Sequence, residues 1–231
     1  MKDLQGRQIL VIGANGAFGQ EFCRQLQAAG ADVIGTARSP ESSARLATNL
    51  SQRLLADLAD QNSIAALTDY LVASKTEIDG VVLAAGLVAF GSAQETPHSI
   101  TQQLMQVNTL GQLDLVQRLI APLASSAAAD RGPFVVSISG VIAERPMPGL
   151  AAYSASKTAL HGYVQAASRE YQKLGIRWID ARPGHTESGL AERAVFGTAP
   201  NFGVGMPVEQ VIGRIIRAVL DDEKDLPSGS F

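Results

Sequence analysis

Tyr153 and Lys157 stand four residues apart in a run of small residues. Side chains at this spacing share one face of a helix, so the lysine ammonium can lie close to the tyrosine phenol. A free phenol titrates near pH ~10, and a neighbouring cation favours its ionised form, so the spacing predicts a lowered pKa for Tyr153. A tyrosine tuned in this way can act as a general acid or base near neutral pH. The same spacing arises by chance on many helices, so an ordinary helix surface is the alternative.

A glycine-rich loop lies near the start of the chain and reads Gly13-Ala14-Asn15-Gly16-Ala17-Phe18-Gly19. It follows a β-branched run at 9–12 and opens a segment with helical periodicity, which is the context in which such loops bind dinucleotides. Glycines permit a tight turn and close approach of a phosphate, and the helix that follows presents free N–H groups. The loop therefore predicts a pyrophosphate site formed by Gly13, Asn15, Gly16, Ala17 and Phe18. A glycine turn without a ligand is the alternative.

The end of the second predicted strand indicates which dinucleotide would bind. NAD-binding units of this type carry an acidic residue there for the ribose hydroxyls, and residues 36–39 contain none. Arg38 offers a guanidinium suited to a 2′-phosphate, with Ser39 as a second donor, so NADP(H) is favoured over NAD(H). A solvated surface charge is the other interpretation of Arg38. Asp57, at the end of the third strand, is a candidate acceptor for the adenine amino group or a helix cap.

These residues require a scaffold, and the chain alternates strand-like and helical segments throughout. The predicted strands lie at 9–12, 32–36, 53–56, 80–84, 134–139 and 176–181, and the predicted helices at 18–29, 64–73, 96–124, 153–174 and 208–220. We expect an irregularity in the third helix near Asn108 and Gly111, and the tail at 224–231 is a candidate edge strand. The alternation predicts an α/β fold with a doubly wound, mostly parallel sheet of Rossmann type. Residues 1–231 are expected to form one domain, with a mobile substrate loop at 183–207.

Composition narrows the function classes. Hydrophobic residues make up 46% of the chain, charged residues 18%, and the net charge is −3. This balance is typical of a folded protein, and without a basic patch we expect neither nucleic acid nor a membrane as a partner. No signal-peptide pattern opens the chain, so a cytoplasmic location is expected. Cys23 is interpreted as a buried hydrophobe, and no grouping of Cys, His or carboxylates predicts a metal site.

The order of motifs along the chain resembles the short-chain dehydrogenase/reductase family. The matching motifs are the glycine loop, Asp57-Leu58, Ala84-Ala85-Gly86, Val107-Asn108, Ser137-Ile138-Ser139, the Tyr153 and Lys157 pair, and Pro183-Gly184. The resemblance implies that Tyr153 is the general acid or base and that Lys157 holds the nicotinamide ribose. It also implies a water held by Asn108, and contacts from Thr186 and Ser188 to the nicotinamide carboxamide. Leu58, Ala85, Gly86, Pro183 and Gly184 are implied cofactor contacts.

Three positions depart from the family pattern. The family usually carries a serine thirteen residues before the tyrosine, where its hydroxyl holds the substrate oxygen, and this chain has Gly140. Ser139 is one residue earlier, so it can replace that donor only if a local bulge redirects its side chain. The segment 83–86 lacks the family's asparagine pair. The glycine loop has Ala17 where a glycine is more usual.

The remaining expectations concern substrate, histidines and assembly. The predicted substrate pocket is apolar and contains Val141, Ile142, Met147, Leu150, Leu190 and Phe196. His185 lies near this pocket as a possible substrate contact or a surface residue. His161 is expected to pack in the layer over the sheet or at a subunit contact, and His98 to be exposed. The resemblance implies a homo-oligomer formed through the helices at 104–124 and 153–174.

Three functions remain open from the sequence. The favoured one is an NADPH-dependent oxidoreductase that reduces a ketone or aldehyde to an alcohol, or catalyses the reverse. Because Gly140 replaces the expected serine, the alternative is a cofactor-binding protein with little catalysis, acting as a redox sensor or assembly subunit. An isomerase or dehydratase that keeps its cofactor bound is a third possibility, against which the lack of a second domain argues.

Overall fold

A six-stranded parallel sheet forms the centre of the molecule in a computed structural model that describes residues 3–231. The strand order is β3-β2-β1-β4-β5-β6. The strands are β1 (Gln8–Ile12), β2 (Asp32–Ala37), β3 (Gln52–Leu55), β4 (Gly80–Leu83), β5 (Phe134–Ile138) and β6 (Arg177–Ala181). The order reverses between β1 and β4, and the crevice at the carboxyl ends of these strands is the expected ligand position in a sheet of this kind. The predicted doubly wound Rossmann-type fold is confirmed.

Helices cover both faces of the sheet. They are α1 (Ala17–Ala28), α2 (Pro40–Ser43), α3 (Gln61–Ala73), α4 (His98–Met105), α5 (Gly111–Arg118), α6 (Ile120–Ala128), α7 (Ala151–Gln172) and α8 (Val208–Leu220). On one face, Phe22 of α1 and Ile212 of α8 pack against apolar residues of the sheet, and Cys23 is buried there as predicted. On the other face, α3, α5 and α7 pack against the opposite side of the same strands. Such two-sided burial explains the continuous apolar strands seen in the sequence.

The predicted irregularity in the long helical region is present. A π-helical segment, Gln106–Leu110, separates α4 from α5 and contains Asn108. One extra residue in the turn changes the direction of the side chains, and such segments are frequent at functional sites. The irregularity therefore aims Asn108 away from the regular helix face.

The tail does not form the predicted edge strand. Leu226 makes a single parallel bridge with Ala181 of β6, and a 3₁₀ turn at Ser228–Ser230 follows. Pro227 has no N–H to donate, which prevents the ladder from continuing past Leu226. Predicted and observed boundaries elsewhere differ by up to four residues. The long helical region ends at Ala128, and α3 starts at Gln61 behind its cap, Asp60.

The amino-terminal end of the sheet is closed by a buried carboxylate. Asp79, just before β4, accepts hydrogen bonds from Ser126 at 2.6 Å and from the Gln8 N–H at 2.8 Å. Two nitrogens of Arg131 each donate to it at 2.6 Å.

Within residues 3–231, no helix is long and apolar enough to cross a membrane.

Candidate active site

The glycine loop connects β1 to α1 in a conformation that requires glycine at two positions. Gly13 has a φ of +77°, and a Cβ there would lie 2.9 Å from the Ala85 Cβ. A Cβ at Gly19 would lie 2.1 Å from the Gly13 carbonyl oxygen. The absence of side chains lets the first turn of α1 pack directly under the loop. Gly16 caps α1, whose first N–H groups have no partner inside the helix.

One cavity of about 830 Å³ extends from this loop along the carboxyl ends of the strands. Most of the predicted site residues line it, and they are Gly13, Asn15, Gly16, Ala17, Phe18, Arg38, Asp57, Leu58, Ala85, Gly86, Ser139, Tyr153, Lys157, Pro183, Gly184, Thr186 and Ser188. Ser39 and Asn108 are not part of its lining. The fold thus brings the predicted phosphate loop and the predicted reactive pair into one space.

At the end of the cavity beyond β2, two guanidinium groups face the same space. Arg38 and Arg45 both line it, together with Ser42. Ser39, the expected second donor, does not line this space, and its hydroxyl caps α2 by accepting from the Ser42 N–H. Sequence reasoning missed Arg45, which follows α2 and whose carbonyl accepts a hydrogen bond from Gln20 at 3.3 Å. The sequence analysis did not predict α2, the short helix between Arg38 and Arg45. Nothing in the sequence pattern therefore indicated that the two arginines line the same cavity.

Asp57 lines the cavity and also stabilises a turn. Its Oδ1 accepts from the Ala59 N–H at 2.9 Å. The cap of α3 is Asp60, whose carboxylate accepts from the Asn62 N–H. The helix-capping role proposed for Asp57 from the sequence therefore belongs to Asp60.

Tyr153 and Lys157 lie on the first turns of α7, and both side chains line the cavity. The Lys157 Nζ donates to the Ile138 carbonyl at 2.7 Å. Burial lowers the pKa of Lys157 to about 8, and the negative charge of Asp180 opposes this effect. Burial raises the pKa of Tyr153 to about 12. The predicted lowering of the Tyr153 pKa is wrong for this geometry, because the partly buried phenol loses solvent and the ammonium donates to the Ile138 carbonyl.

Asn108 fixes the loop that follows β4. Its Oδ1 accepts from the Leu87 N–H at 2.8 Å, and its Nδ2 donates to the Leu87 carbonyl at 2.9 Å. The same Nδ2 donates to Ser156 Oγ of α7 at 3.0 Å. A Cβ at Gly86 would lie 3.3 Å from Asn108 Oδ1 and 3.6 Å from Lys157 Nζ. Asn108 thus holds the Gly86 and Leu87 backbone close to Lys157, from just behind the cavity wall.

The structure contradicts Ser139 as a replacement for the missing serine. Its side chain is fully buried, and its hydroxyl donates to Asp180 Oδ2 at 2.6 Å. A hydroxyl has one proton to donate, so Ser139 has none left for a substrate oxygen. The N–H groups of Ser139 and Gly140 both donate to the Ala181 carbonyl, at 3.1 and 3.2 Å. Gly140 itself has φ +77° and ψ 164°, a region in which glycine is strongly favoured.

The apolar end of the cavity contains most of the predicted substrate-pocket residues. Val141, Ile142, Met147, Leu150 and Leu190 line it. Phe196 does not, and its carbonyl accepts instead from the Phe90 N–H. Sequence reasoning missed two aromatic residues here, Phe90 and Phe202, whose ring centroids are 5.9 Å apart. Both missed residues belong to irregular segments in which no periodicity indicates the buried face.

The three histidines occupy different environments. His185 lines the cavity with its ring 5.2 Å from that of Phe202. His161 is largely buried on α7, where its Nδ1 lies 2.8 Å from Asp180 Oδ2. His98 is exposed at the start of α4, as predicted. Among residues 3–231, no cluster of three or more potential metal ligands is found.

The backbone after β6 forms the remaining wall of the cavity. The Pro183 carbonyl accepts from the Val141 N–H at 2.9 Å, which joins this wall to the segment after β5. The Thr186 hydroxyl donates to the Gly184 carbonyl at 3.0 Å, and Thr186 pairs with Met206 in a single bridge. Residues 183–193 thus line the cavity, and the segment turns back to pair with Met206 just before α8.

Comparisons with known proteins give a consistent result. The family model for short chain dehydrogenase matches residues 7–195. A dehydrogenase/reductase SDR family protein 7-like of Anopheles gambiae is 28% identical over 97% of this chain and 75% of its own. The 2,3-dihydro-2,3-dihydroxybenzoate dehydrogenase of Escherichia coli K12 is 26% identical over 90% of this chain and 85% of its own.

Two solved structures share the fold. A short chain dehydrogenase of Burkholderia cenocepacia, in complex with NADP, superimposes with a TM-score of 0.83 at 20% identity, covering 98% of this chain and 90% of that one. A 3-ketoacyl-(acyl-carrier-protein) reductase of Brucella melitensis, complexed with NADH, gives a TM-score of 0.86 at 19% identity and covers 97% of both chains. With the family match over most of its length, the chain belongs to the short-chain dehydrogenase/reductase family of NAD(P)-dependent oxidoreductases.

Proposed function

We propose that this protein is an NADPH-dependent oxidoreductase that reduces a ketone or aldehyde to an alcohol, or catalyses the reverse reaction. The observation that carries the proposal is that a single cavity contains the glycine loop, Arg38, Tyr153 and Lys157. The cavity therefore offers a dinucleotide three kinds of group. The backbone of the glycine loop would bind phosphate, Arg38 would lie at the adenosine ribose, and Tyr153 would donate a proton beside the nicotinamide.

The residues present fit a dinucleotide. Gly13 and Gly19 leave no side chain under the loop, where any Cβ would contact backbone. Free N–H groups at the start of α1 suit a pyrophosphate. Arg38 and Arg45 supply two positive charges at the far end, which supports NADP(H) over NAD(H) because guanidinium groups bind phosphate well. Thr186 and Ser188 are proposed to hold the carboxamide. Asn108 is proposed to hold a water behind Lys157 through an oxygen atom, because both of its amide protons are already donated to Leu87 and Ser156.

A bound nicotinamide dinucleotide would supply or accept the hydride. In reduction, the Tyr153 hydroxyl gives its proton to the substrate oxygen while the carbonyl carbon receives the hydride. A Tyr153 pKa of about 12 keeps the phenol protonated at neutral pH, which suits the role of proton donor. The ammonium of Lys157 remains mostly charged below its pKa of about 8 and stabilises the phenolate that is left.

The substrate is proposed to be a small molecule with an apolar group beside its carbonyl. Phe90, Ile142, Leu150 and Phe202 surround the space in front of Tyr153, and burial of a substrate's apolar surface against them favours binding. Residues 183–207 are proposed to act as the mobile segment that admits this substrate.

Turnover with NADPH across a panel of ketones and aldehydes tests the proposal. Tyr153→Phe removes the proton donor and should lower kcat/KM by about 100-fold or more. Tyr163→Phe is the matched control, because Tyr163 lies on the same helix and packs against Trp178 outside the cavity. NADPH oxidation that is equally fast in the Tyr153→Phe and Tyr163→Phe proteins would refute the proposed role of Tyr153.

The geometry at Gly140 favours a second candidate, a cofactor-binding protein with little catalysis. Gly140 has no hydroxyl, and Ser139 is committed to Asp180. Loss of one donor to the substrate oxygen typically lowers the rate by about 10²–10³. Tight NADPH binding, measured by cofactor fluorescence, without any Tyr153-dependent turnover would favour this candidate over the reductase.

A further inference from the structure

A buried polar cluster lies directly behind the reactive pair. Asp180 of β6 is 2% exposed and accepts from Ser137 Oγ at 2.8 Å and from Ser139 Oγ at 2.6 Å. Its Oδ2 also accepts from His161 Nδ1 at 2.8 Å and from Arg182 Nη1 at 3.3 Å. We call these five residues the Asp180 cluster.

The Asp180 cluster joins the two walls of the site that carry the reactive groups. On one side, Ser139 directly precedes Gly140 and follows Ile138, whose carbonyl accepts from Lys157. On the other side, His161 lies four residues after Lys157 and eight after Tyr153, so the three side chains follow one stripe of α7. Asp180 therefore bonds to the end of β5 and to α7 at the same time.

Charge in the cluster is not balanced by a single partner. Arg182 also binds Glu144 at 2.5 Å and Asp225 at 2.6 Å, so it is shared among three carboxylates. The titratable groups facing Asp180 are thus His161 and Lys157 from α7 and Arg182, which directly follows β6. Ser137 of β5 and Ser139, just after it, contribute only hydroxyls. Burying a carboxylate in this way is costly unless its partners hold it firmly.

We propose that Asp180 is a positioning residue for the reaction, which fixes the end of β5 against α7 through Ser139 and His161 and places a buried negative charge behind Lys157. The inference rests on the proposed function of Tyr153 and Lys157. Burial and the Asp180 charge act in opposite directions on the pKa of Lys157, which supports the electrostatic part of the role.

Asp180→Asn tests the proposal because it keeps the size of the side chain and removes the charge. Removing a negative charge makes loss of a proton easier for every neighbouring group, so the pH limb of kcat/KM set by Tyr153 and Lys157 should move to lower pH. We expect a shift of at least about 0.5 pH unit, since adjacent charges typically produce roughly 1–3 units. Turnover should fall about 10- to 100-fold, because small displacements of reacting groups lower rates by this order of magnitude.

Asp79→Asn is the matched control. Asp79 is equally buried and equally bonded, but it lies at the opposite end of the sheet. The Asp79→Asn variant should have a lower free energy of unfolding, while the pH limb of its kcat/KM should stay in place. A limb that shifts equally in both variants, or in neither, would overturn the proposal.

Ser139→Ala separates position from charge and remains informative if Asp180→Asn fails to fold. It removes one bond to Asp180 and keeps the carboxylate, so turnover should fall while the pH limb stays in place. Unchanged turnover in Ser139→Ala would overturn the positioning role.

A readout independent of activity distinguishes failure of this inference from failure of the proposed function. The chain has five lysines, so the Lys157 Cε signal can be followed by ¹³C NMR and assigned with Lys157→Met. A Lys157 titration that moves to lower pH in Asp180→Asn supports the inference even if the wild-type protein reduces no carbonyl. A Lys157 titration that does not move overturns the electrostatic role.

Discussion

Each end of the sheet buries one aspartate, and the two aspartates are bonded in different ways. At the amino-terminal end, Asp79 is neutralised by a two-point contact with Arg131, which also donates to the Gly6 carbonyl. At the carboxyl end, Asp180 is shared among Ser137, Ser139, His161 and an arginine that has two other carboxylate partners.

This difference shows how partners decide what a buried charge does. The partners of Asp79 all belong to the scaffold and none lines the cavity, so its hydrogen bonds contribute only to the packing of the sheet. Two partners of Asp180 adjoin residues of the cavity, so a change there is transmitted to the site. Loss of Asp79 should therefore be measured as stability, and loss of Asp180 as altered chemistry.

The largest effect is expected from Asp79→Ala. It leaves Arg131 without its buried partner and should lower the free energy of unfolding by about 3–5 kcal/mol in urea denaturation. Glu77→Ala removes the exposed carboxylate 3.9 Å from the same arginine and should cost less than about 1 kcal/mol. A Kd for NADPH that rises in the folded Asp79→Ala protein would break the contrast between the two ends.

Asp79 should also contribute to acid sensitivity. Burial raises its pKa, but the hydrogen bonds from Arg131, Ser126 and Gln8 outweigh this and hold the pKa below its ordinary value of 3.8. A carboxyl with a depressed pKa in the folded state stabilises the protein above its unfolded pKa, and this stabilisation is lost as pH falls through the folded value. The stability difference between wild type and Asp79→Ala should therefore shrink below about pH 4.

Lys157→Met should give the next largest effect on the free energy of unfolding. The stability that depends on Lys157 rises at high pH, whereas the stability that depends on Asp79 falls at low pH. Burial lowers the pKa of Lys157 to about 8 against an ordinary value of 10.5, so between these values the unfolded chain binds more protons than the folded one. Stability must then rise with pH across that window, by up to about 3 kcal/mol for this group. The increase should be present in wild type and absent in Lys157→Met, measured by denaturation at pH 7 and pH 10. Equal pH dependence in both proteins would contradict a Lys157 pKa lowered by burial.

Gly140→Ala should cost about 1–3 kcal/mol of stability, because its φ of +77° and ψ of 164° strain any side chain. Gly162→Ala is the control, since that helical glycine has open space around it and should gain up to about 1 kcal/mol. Gly140→Ser should lose as much stability as Gly140→Ala, so the ratio of their turnover rates isolates the contribution of the hydroxyl. A ratio near one would mean that a hydroxyl at this position does not reach the substrate oxygen.

The smallest effect concerns the far end of the cavity. Arg45→Ala should weaken NADPH about tenfold, equivalent to about 1.4 kcal/mol, and leave NADH unchanged. Arg53→Ala, an exposed arginine on β3 that does not line the cavity, serves as the control. If Arg45→Ala weakens both cofactors equally, Arg45 contributes only general attraction and does not contact a 2′-phosphate.

The residues that the sequence marks for the proposed cofactor site come together in one cavity because the signals that mark them are local. The Gly13 to Gly19 loop, Arg38 and the Tyr153 and Lys157 pair each depend on spacing within one element and its immediate neighbours. Alternating strands and helices predicted the sheet for the same reason, and the π segment around Asn108 was anticipated from an interrupted helical pattern.

Errors arose where the outcome depended on contacts between distant segments. Arg45 enters the cavity only because α2 folds back, and Phe202 replaces Phe196 through the path of an irregular loop. The pKa of Tyr153 depends on burial, which spacing along a helix does not specify. Ser139 is committed to Asp180, a residue 41 positions away. The Asp180 cluster as a whole carries no local signal.

The backbone at Gly140 also bears on how readily this site can change by mutation. Gly140 cannot gain a serine side chain without cost, because the serine would enter a strained conformation held by two N–H groups on the Ala181 carbonyl. Proteins tolerate few such losses, because they remain only slightly above the stability that they need. A second change in the turn would have to come first to relax the backbone. At position 140, replacing a side chain by glycine therefore costs less stability than replacing glycine by a side chain.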